Sequence, residues 1–320
     1  MKTVLVTGDF DIPEGALPPD IKLIHLRTLV NEHSIREALP FVQGYIVGGP
    51  EYVSSELLSM ATELKHLVVM GTGTASFVDI EAATQRGIRV SNTPGLNVQA
   101  VVEFTLAMMT VCTAGVFESI ECVKDGSRWP QTVRPSIADQ SIGIIGMGNI
   151  GQALAKEFHI KGCRQLYYWS RQRKYAAELE LGLNYTSIKD MVKTVKYLFI
   201  HIAGCDETYR LIDADVLDKS KSDLSIFNMS SPKIICSVAL RKYLINNPEA
   251  FCFIDGYYNE WISNAGVLGD PYKLLELPFG SLVATSHLSA LRKDALKNIL
   301  ISAIATLNVC FDAGSESKRL

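Results

Sequence analysis

A glycine-rich segment near the middle of the chain constrains the fold more than any other part of the sequence. Residues 142–145 form a short apolar run typical of a buried strand, and Gly146, Gly148 and Gly151 follow it with the spacing G-x-G-x-x-G. A helical pattern comes next, and a second strand-like run spans residues 165–169. This order of strand, turn, helix and strand is typical of a dinucleotide-binding unit.

Each of the three glycines has a distinct physical task in such a unit. Gly146 permits a tight turn, Gly148 lets the backbone approach a pyrophosphate, and Gly151 lets the helix pack closely on the strand. The helix N-terminus then offers free N–H groups to the phosphates. A glycine turn with a purely structural role is the alternative, but the flanking elements favour a cofactor site.

The residues after the second strand distinguish between two forms of the cofactor. An NAD site places Asp or Glu there, whereas this chain has Ser170, Arg171, Arg173 and Lys174. Three cations and a hydroxyl suit a 2′-phosphate, and no carboxylate is present in this stretch to repel it. A solvated basic loop is the alternative. The sequence therefore predicts NADP(H) in preference to NAD(H).

Composition limits the class of protein. The 320 residues suffice for two ordinary domains, and 48% apolar with 20% charged residues is typical of a globular protein. A net charge of −3 gives no general attraction to nucleic acid or anionic membranes, and no apolar run reaches the length of a bilayer span. The seven cysteines are scattered without a C-x-x-C pair, which argues against disulfides and a zinc site. We therefore expect a cytoplasmic protein with no metal site.

Short apolar runs alternate with helical patterns on both sides of the glycine segment. This alternation predicts an α/β fold with parallel sheets. Residues 98–120 are apolar nearly all round, so we expect a helix that is either plain core or part of a subunit interface. The strands are expected at 4–6, 21–26, 44–47, 66–70, 88–90, 197–202, 224–228, 251–255 and 283–285, with a long final helix over 290–311.

Several segments, taken in order, resemble the D-2-hydroxyacid dehydrogenase family. The matching stretches are GTGTASFVDIEAATQRGIRVSNTPG, VVEF, GIIGMGNIG, HIAGCDET, FNMSS, IDGYYNEW and TSHLSA. The resemblance implies two Rossmann- or flavodoxin-like doubly wound parallel-sheet domains with a cleft between them. Residues 98–289 would form the cofactor domain, and residues 1–97 with 290–320 the substrate domain. It also implies a homodimer, for which the 98–120 region is the candidate interface.

The same resemblance implies hydride transfer between a nicotinamide cofactor and a small 2-oxo or 2-hydroxy acid. His287 matches the acid/base, and Glu260 matches the carboxylate that hydrogen-bonds it and raises its pKa. Thr72 and Gly73 match the backbone N–H donors to the substrate carboxylate. Further cofactor contacts are implied at Asn149, Ile150, Ala203, Met229 and Asp255, the last of these near the nicotinamide. A structural histidine and a surface carboxylate are the alternatives for the first pair.

The chain departs from the family at its substrate-binding arginine. The family reads N-x-x-R-G, and in this chain Ser231 occupies the arginine position, with Pro232 after it. Serine cannot supply a forked, permanently charged donor pair, so simple 2-oxo acids should be poor substrates. Lys233 and Arg292 are candidate replacements for the missing cation, although structural roles are more expected for both.

Two functions are compatible with these departures. The first is an NADPH-dependent reductase that acts on a non-standard carbonyl compound, with Tyr257 and Tyr258 as further hydrogen-bond donors in reserve. The second is a pseudoenzyme that binds NADP(H) without turnover and regulates a partner. A structural or transcriptional protein without cofactor fits poorly with the intact glycine unit.

Overall fold

The chain forms two compact α/β units, each described here by itself. The computed structural model describes residues 2–27, 32–49, 51–131, 133–258, 270–278 and 280–316, with side chains as far as residue 311. Among these, unit 1 holds the residues up to Asn97 and from Leu291 onward, and unit 2 holds Val98 to Ala290. The prediction of two parallel-sheet α/β domains is confirmed. The limits 1–97 with 290–320 and 98–289 stay a prediction for the functional domains.

Unit 1 is built on a five-stranded parallel sheet in the order β2-β1-β3-β4-β5. Its three central strands β1, β3 and β4 are mostly apolar because both faces of the sheet are covered there, whereas the edge strands β2 and β5 carry polar residues. The strands are β1 Lys2–Thr7, β2 Ile21–Leu26, β3 Gly44–Val47, β4 His66–Val69 and β5 Arg89–Asn92. The helices are α1 Glu32–Ala38, α2 Ser55–Met60, α3 Ile80–Gln85 and, from the end of the chain, α11 Lys293–Glu316.

The final helix α11 covers one face of this sheet. Its apolar stripe, which includes Leu300, Ala303 and Leu307, packs against β1, β3 and β4. A Cβ atom on Gly44 would lie only 2.8 Å from the Leu307 side chain, so the glycine allows the helix its close approach. Among the residues described, Lys293–Phe311 is the one helix that is long and apolar enough to cross a membrane. The absence of a membrane partner stays a prediction.

Unit 2 is built on a seven-stranded parallel sheet in the order β12-β11-β10-β9-β6-β7-β8. The strand order reverses between β6 and β9, and ligands of doubly wound sheets bind at such a reversal, beyond the carboxyl ends of the strands. The strands are β6 Ser141–Ile145, β7 Gln165–Trp169, β8 Asn184–Tyr185, β9 Tyr197–Ile200, β10 Ser225–Asn228, β11 Cys252–Asp255 and β12 Leu282–Thr285. The helices are α4 Val98–Thr113, α5 Val116–Asp125, α6 Asn149–Ile160, α7 Tyr175–Leu181, α8 Ile188–Thr194, α9 Ala214–Leu217 and α10 Ser237–Asn246.

The apolar stretch 98–120 does not form one helix, as the sequence led us to expect. Helix α4 ends at Thr113, α5 begins at Val116, and the two axes are bent by 51°. Gly115 lies between them with φ of 64°, a left-handed conformation that glycine adopts without a steric penalty. The prediction of a single helix is therefore wrong at this point, although both halves are helical.

Candidate active site

The glycine turn follows β6 at the carboxyl edge of the unit 2 sheet. Gly146 has φ of +100°, and a Cβ atom there would collide with the carbonyl oxygen of His201. A Cβ atom on Gly151 would collide with the Gly146 carbonyl, so helix α6 and the turn are in close contact. At Gly148, by contrast, a Cβ atom would meet nothing within 4 Å. Gly148 and Asn149 are both exposed, which leaves room for a ligand at the N-terminus of α6.

The loops after β7 and β9 flank the glycine turn on its two sides. The Gly146 amide donates to the Trp169 carbonyl at 2.8 Å, and the His201 amide donates to the Ile145 carbonyl at 2.8 Å. Both ring nitrogens of His201 are buried without a hydrogen-bond partner in the described residues. Burial lowers the pKa of His201 to about 3, so its imidazole is neutral in the folded protein. Ala203 follows in the same loop and is exposed.

The basic residues after β7 are engaged by carboxylates to different degrees. Arg173 Nε and Nη2 each lie 2.8 Å from a Glu178 oxygen, which is a forked, charge-assisted contact. Glu178 also accepts a 2.6 Å hydrogen bond from the Tyr168 hydroxyl, and the guanidinium of Arg173 stacks on Tyr175. Arg173 is therefore held in place from several sides.

Arg171 and Ser170, two more of the residues predicted to bind the 2′-phosphate, are less constrained or differently used. Arg171 makes one ion-pair contact, 3.2 Å from Nη1 to Glu207 Oε2, and both side chains are about three-quarters exposed. Ser170 is buried, and its hydroxyl donates to the Gln172 carbonyl at 2.6 Å. Arg171 therefore remains accessible to a ligand, whereas the Ser170 hydroxyl is satisfied within its own turn.

Ser231 lies in a turn that is fixed by its neighbours after β10. The buried Asn228 side chain accepts from the Ser230 amide at 2.9 Å and donates to the Ser231 carbonyl at 3.1 Å. Met229 is buried in the core between the sheet and α4. Residue 231 is thus positioned by main-chain contacts that do not depend on its side chain.

The predicted acid/base His287 lies just after β12 in a strained turn. It has φ of 62°, which is uncommon for a residue other than glycine. Asp255, at the end of the adjacent strand β11, accepts hydrogen bonds from the Leu288 amide at 2.7 Å and the Ser289 amide at 2.8 Å. The Thr285 hydroxyl donates to the same carboxylate at 2.6 Å. Asp255 is almost fully buried, so three charge-assisted hydrogen bonds hold the turn around His287.

We expect Asp255→Asn to lower the free energy of unfolding by about 1.5–3 kcal/mol. Asparagine replaces one acceptor oxygen with an NH₂ group, so at least one of the three charge-assisted hydrogen bonds to residue 255 is lost. Denaturant unfolding measures this change. Asp213→Asn is the matched control, because Asp213 caps α9 by accepting from the Val216 amide and asparagine caps about as well. Equal stability of the two variants would contradict the role given to Asp255.

Other predicted site residues are placed differently or lie outside the description. Glu260 is not among the described residues. Arg292 precedes α11 and donates to both carboxylate oxygens of Asp294, so it is not an unused cation. The Tyr257 hydroxyl donates to Asp270 at 2.6 Å and the Tyr258 hydroxyl to the Ile235 carbonyl at 3.1 Å. Both tyrosine hydroxyls therefore make structural hydrogen bonds, whereas the sequence suggested them as donors to a substrate.

In unit 1, Thr72 and Gly73 follow β4 in a loop held at both ends. The Gly71 amide donates to the Thr93 hydroxyl at 2.9 Å, and the Asn92 side chain donates to the Thr72 carbonyl at 2.7 Å. Within the described part of the chain, the Thr72 and Gly73 amides have no hydrogen-bond acceptor. They are available as donors to a ligand.

Sequence reasoning missed two carboxylates of the unit 2 site. Glu178 and Glu207 bind the two arginines that the sequence assigned to a phosphate. Glu178 is only five residues from its partner Arg173, on helix α7, so the sequence itself places the two close together. Glu207 is 36 residues from Arg171, and only the sheet order brings the two together.

A model of a known protein family matches most of unit 2. A family model described as the NAD binding domain of D-isomer specific 2-hydroxyacid dehydrogenases matches residues 106–289, more than half of the chain. The chain belongs to the D-isomer specific 2-hydroxyacid dehydrogenase family.

Proteins named as glyoxylate or hydroxypyruvate reductases are similar to this chain. A glyoxylate reductase of Thermococcus litoralis is 32% identical over 222 residues, which are 65% of this chain and 66% of that protein. A glyoxylate/hydroxypyruvate reductase B of Yersinia pestis is 26% identical over 282 residues, 87% of this chain and 83% of that protein. The match thus spans just under two thirds of the Thermococcus enzyme.

The fold is also that of solved dehydrogenase structures. A D-lactate dehydrogenase of Aquifex aeolicus, complexed with NAD and lactic acid, superposes with a TM-score of 0.82 at 20% identity. The superposition covers 98% of this chain and 96% of that one. At this level of identity the likeness establishes the arrangement of the secondary structure and nothing about substrates.

Proposed function

We propose that this protein is an NADP(H)-dependent oxidoreductase of the D-2-hydroxyacid dehydrogenase type. It transfers hydride between NADPH and a 2-oxo or 2-hydroxy acid, or a related carbonyl compound. The observation that carries the proposal is the turn around His287, which three hydrogen bonds to the buried Asp255 hold at the carboxyl edge of the sheet. A strained turn maintained by a buried carboxylate is typical of a functional position.

The glycine turn supports a dinucleotide ligand. The open space at Gly148 and the free N-terminus of α6, with Asn149 and Ile150 in its first turn, suit a pyrophosphate. Ala203 and Met229 follow β9 and β10, and the proposed nicotinamide site lies beyond these two strands; the Met229 side chain is buried in the core, so the main chain there is the proposed contact. When bound, the nicotinamide ring supplies or accepts the hydride at its C4 atom.

The residues after β7 support the phosphorylated form of the cofactor. Arg171 is exposed, contacts one carboxylate among the described residues, and is available to a 2′-phosphate. The charge of Arg173 is offset by the carboxylate of Glu178, which binds its guanidinium through a forked contact. Arg171 is therefore the proposed direct ligand, and Arg173 would contribute only if its ion pair with Glu178 opens.

The chemistry at the substrate needs one proton for each hydride. In the reductive direction, His287 gives a proton to the carbonyl oxygen as hydride adds to the carbon, so a ketone becomes an alcohol. Glu260 is the proposed hydrogen-bond partner that favours the protonated imidazole. The Thr72 and Gly73 amides are the proposed donors to the substrate carboxylate. By its resemblance to the family motif, Ser231 takes the position of an arginine that would polarise the carbonyl, so we propose a substrate that needs less polarisation.

A pseudoenzyme is the second candidate, and Ser231 is the observation that favours it. Without a cation at this position, an oxyanion that develops during reduction has one stabilising charge fewer. In that case the protein would bind NADP(H), remain without turnover and act on a partner through its cofactor-bound form.

The assembly and location are further parts of the proposal. Helix α5 exposes Val116, Ile120 and Val123, and an apolar helix face of this kind supports a homodimer formed through the 98–120 region. All seven cysteines are free thiols, and burial raises the pKa of Cys112 to about 12. Free thiols are typical of a reducing compartment and support a cytoplasmic protein.

Consumption of NADPH by the purified protein tests the function. The substrates run from glyoxylate and hydroxypyruvate to bulky 2-oxo acids, with NADH assayed in parallel. We expect turnover of at least one bulky substrate and a preference for NADPH over NADH. Tight NADPH binding without turnover of any carbonyl compound would favour the pseudoenzyme instead.

A further inference from the structure

The ion pair between Arg171 and Glu207 joins the two loops on either side of the glycine turn of unit 2. Strand β6 lies between β7 and β9 in the sheet, so the turn after β6 lies between the loops that follow those two strands. Arg171 belongs to the loop after β7 and Glu207 to the loop after β9. Their contact, 3.2 Å between Nη1 and Oε2, therefore joins the two loops that flank the proposed cofactor site.

The backbone that carries Glu207 is fixed, and its carboxylate is exposed, with contacts to Arg171 and to the Cys205 thiol. Glu207 lies in a single helical turn, Asp206–Thr208, that is held by the buried Thr208. The Thr208 hydroxyl accepts from the Cys205 amide at 2.9 Å and donates to the Ala203 carbonyl at 2.9 Å. The Glu207 side chain is 74% exposed. Its carboxylate therefore contacts Arg171 at the surface, while the helical turn that carries it is held in place.

The contact between Arg171 and Glu207 is of a kind that a ligand can displace. Exposed ion pairs with one contact contribute little to stability. A phosphate carries more charge than a carboxylate and accepts a forked pair of hydrogen bonds from a guanidinium. The neighbouring Arg173 is different, because the partly buried Glu178 binds it through two nitrogens.

We propose that Glu207 is a specificity-determining residue for the cofactor, because it competes with the 2′-phosphate for Arg171. Binding of NADP(H) opens the ion pair and transfers Arg171 to the phosphate. A ribose without the phosphate leaves the ion pair closed. Glu207 therefore reduces a preference for NADP(H) that Arg171 alone would make larger. This inference rests on the proposed function, since it needs a dinucleotide at the glycine turn.

The test uses two fragments of the cofactor, 2′,5′-ADP and ADP, titrated into the full-length protein by calorimetry. Glu207→Gln should strengthen the binding of 2′,5′-ADP up to about fivefold, the range of an exposed ion pair, and leave ADP unchanged. Arg171→Gln should weaken 2′,5′-ADP about tenfold or more and change ADP by less than about twofold. Glu180→Gln, an exposed carboxylate on α7, is the control for a general change of charge.

The double variant Glu207→Gln with Arg171→Gln distinguishes two effects of Glu207: competition with the 2′-phosphate for Arg171, and direct charge repulsion of the phosphate. If Glu207 acts through Arg171, Glu207→Gln has no effect on 2′,5′-ADP once Arg171 is already glutamine. An effect that persists in the Arg171→Gln background overturns the inference, as does a Glu207→Gln variant that binds 2′,5′-ADP like the wild type. Wild-type protein that binds neither fragment nor NADPH overturns the proposed function together with the inference.

Discussion

Replacement of His287 by alanine is expected to lower kcat with the best carbonyl substrate about 10²–10⁴-fold, the contribution of a positioned general acid. The side chain of His287 is the group proposed to give its proton to the carbonyl oxygen. Its turn is held by main-chain bonds from Leu288 and Ser289 to Asp255, and alanine leaves these bonds in place. The fold and the binding of NADPH should therefore survive the change.

The measurement is steady-state NADPH oxidation, combined with a direct titration of NADPH. His159→Ala is the matched control in unit 2, because His159 lies on α6 and contacts the Leu181 carbonyl at 3.1 Å. It should retain turnover. A His287→Ala variant that turns over the best substrate at the wild-type rate would contradict the acid/base assignment.

Substitution of Ser231 by arginine is expected to raise kcat/KM for a small 2-oxo acid such as glyoxylate by about 10²-fold. A guanidinium restores a forked contact to the substrate carboxylate and positive charge beside the developing oxyanion. The turn itself should tolerate the change, since Asn228 fixes it through the Ser230 amide and the Ser231 carbonyl. Turnover of bulky substrates should fall, because arginine fills space that serine leaves open.

Lysine at position 231 is the control, because it adds a positive charge but cannot make the forked contact of a guanidinium. Ser231→Lys should give a smaller gain with glyoxylate than Ser231→Arg, because an ammonium group cannot make the forked contact. Kinetics with glyoxylate and with the best bulky substrate measure both effects. If neither variant gains activity with glyoxylate while both still bind NADPH, the lost arginine is not what limits small substrates.

Much of the fold could be predicted because strand and helix patterns are local. The expected strands all appear within two residues at each end, including Ile21–Leu26 and Gln165–Trp169. The apolar stripe of the final helix also predicts its packing face. The break between α4 and α5 was missed because residues 98–120 are apolar on both sides of Gly115, and the apolar pattern outweighed the helix-end signal that this glycine gives.

The candidate site could be predicted only in part, because its decisive contacts are long-range. The glycine turn is encoded in one short stretch, and so is the basic loop after β7. The pairing of Arg171 with Glu207 depends on the order in which β7, β6 and β9 lie in the sheet. Asp255 was expected beside the nicotinamide, and only the adjacency of β11 and β12 reveals that it holds the turn of His287.

Transfer of deuterium from NADPH that carries deuterium at both C4 positions to a 2-oxo acid tests the proposed reaction most directly. The purified protein is incubated with the labelled cofactor and the best substrate, and the product is analysed by mass spectrometry and chiral chromatography. We predict one deuterium at C2 of the 2-hydroxy acid, which should be the D isomer. Bound NADPH that transfers no label to any 2-oxo acid would contradict the account and leave the protein as a nucleotide-binding pseudoenzyme.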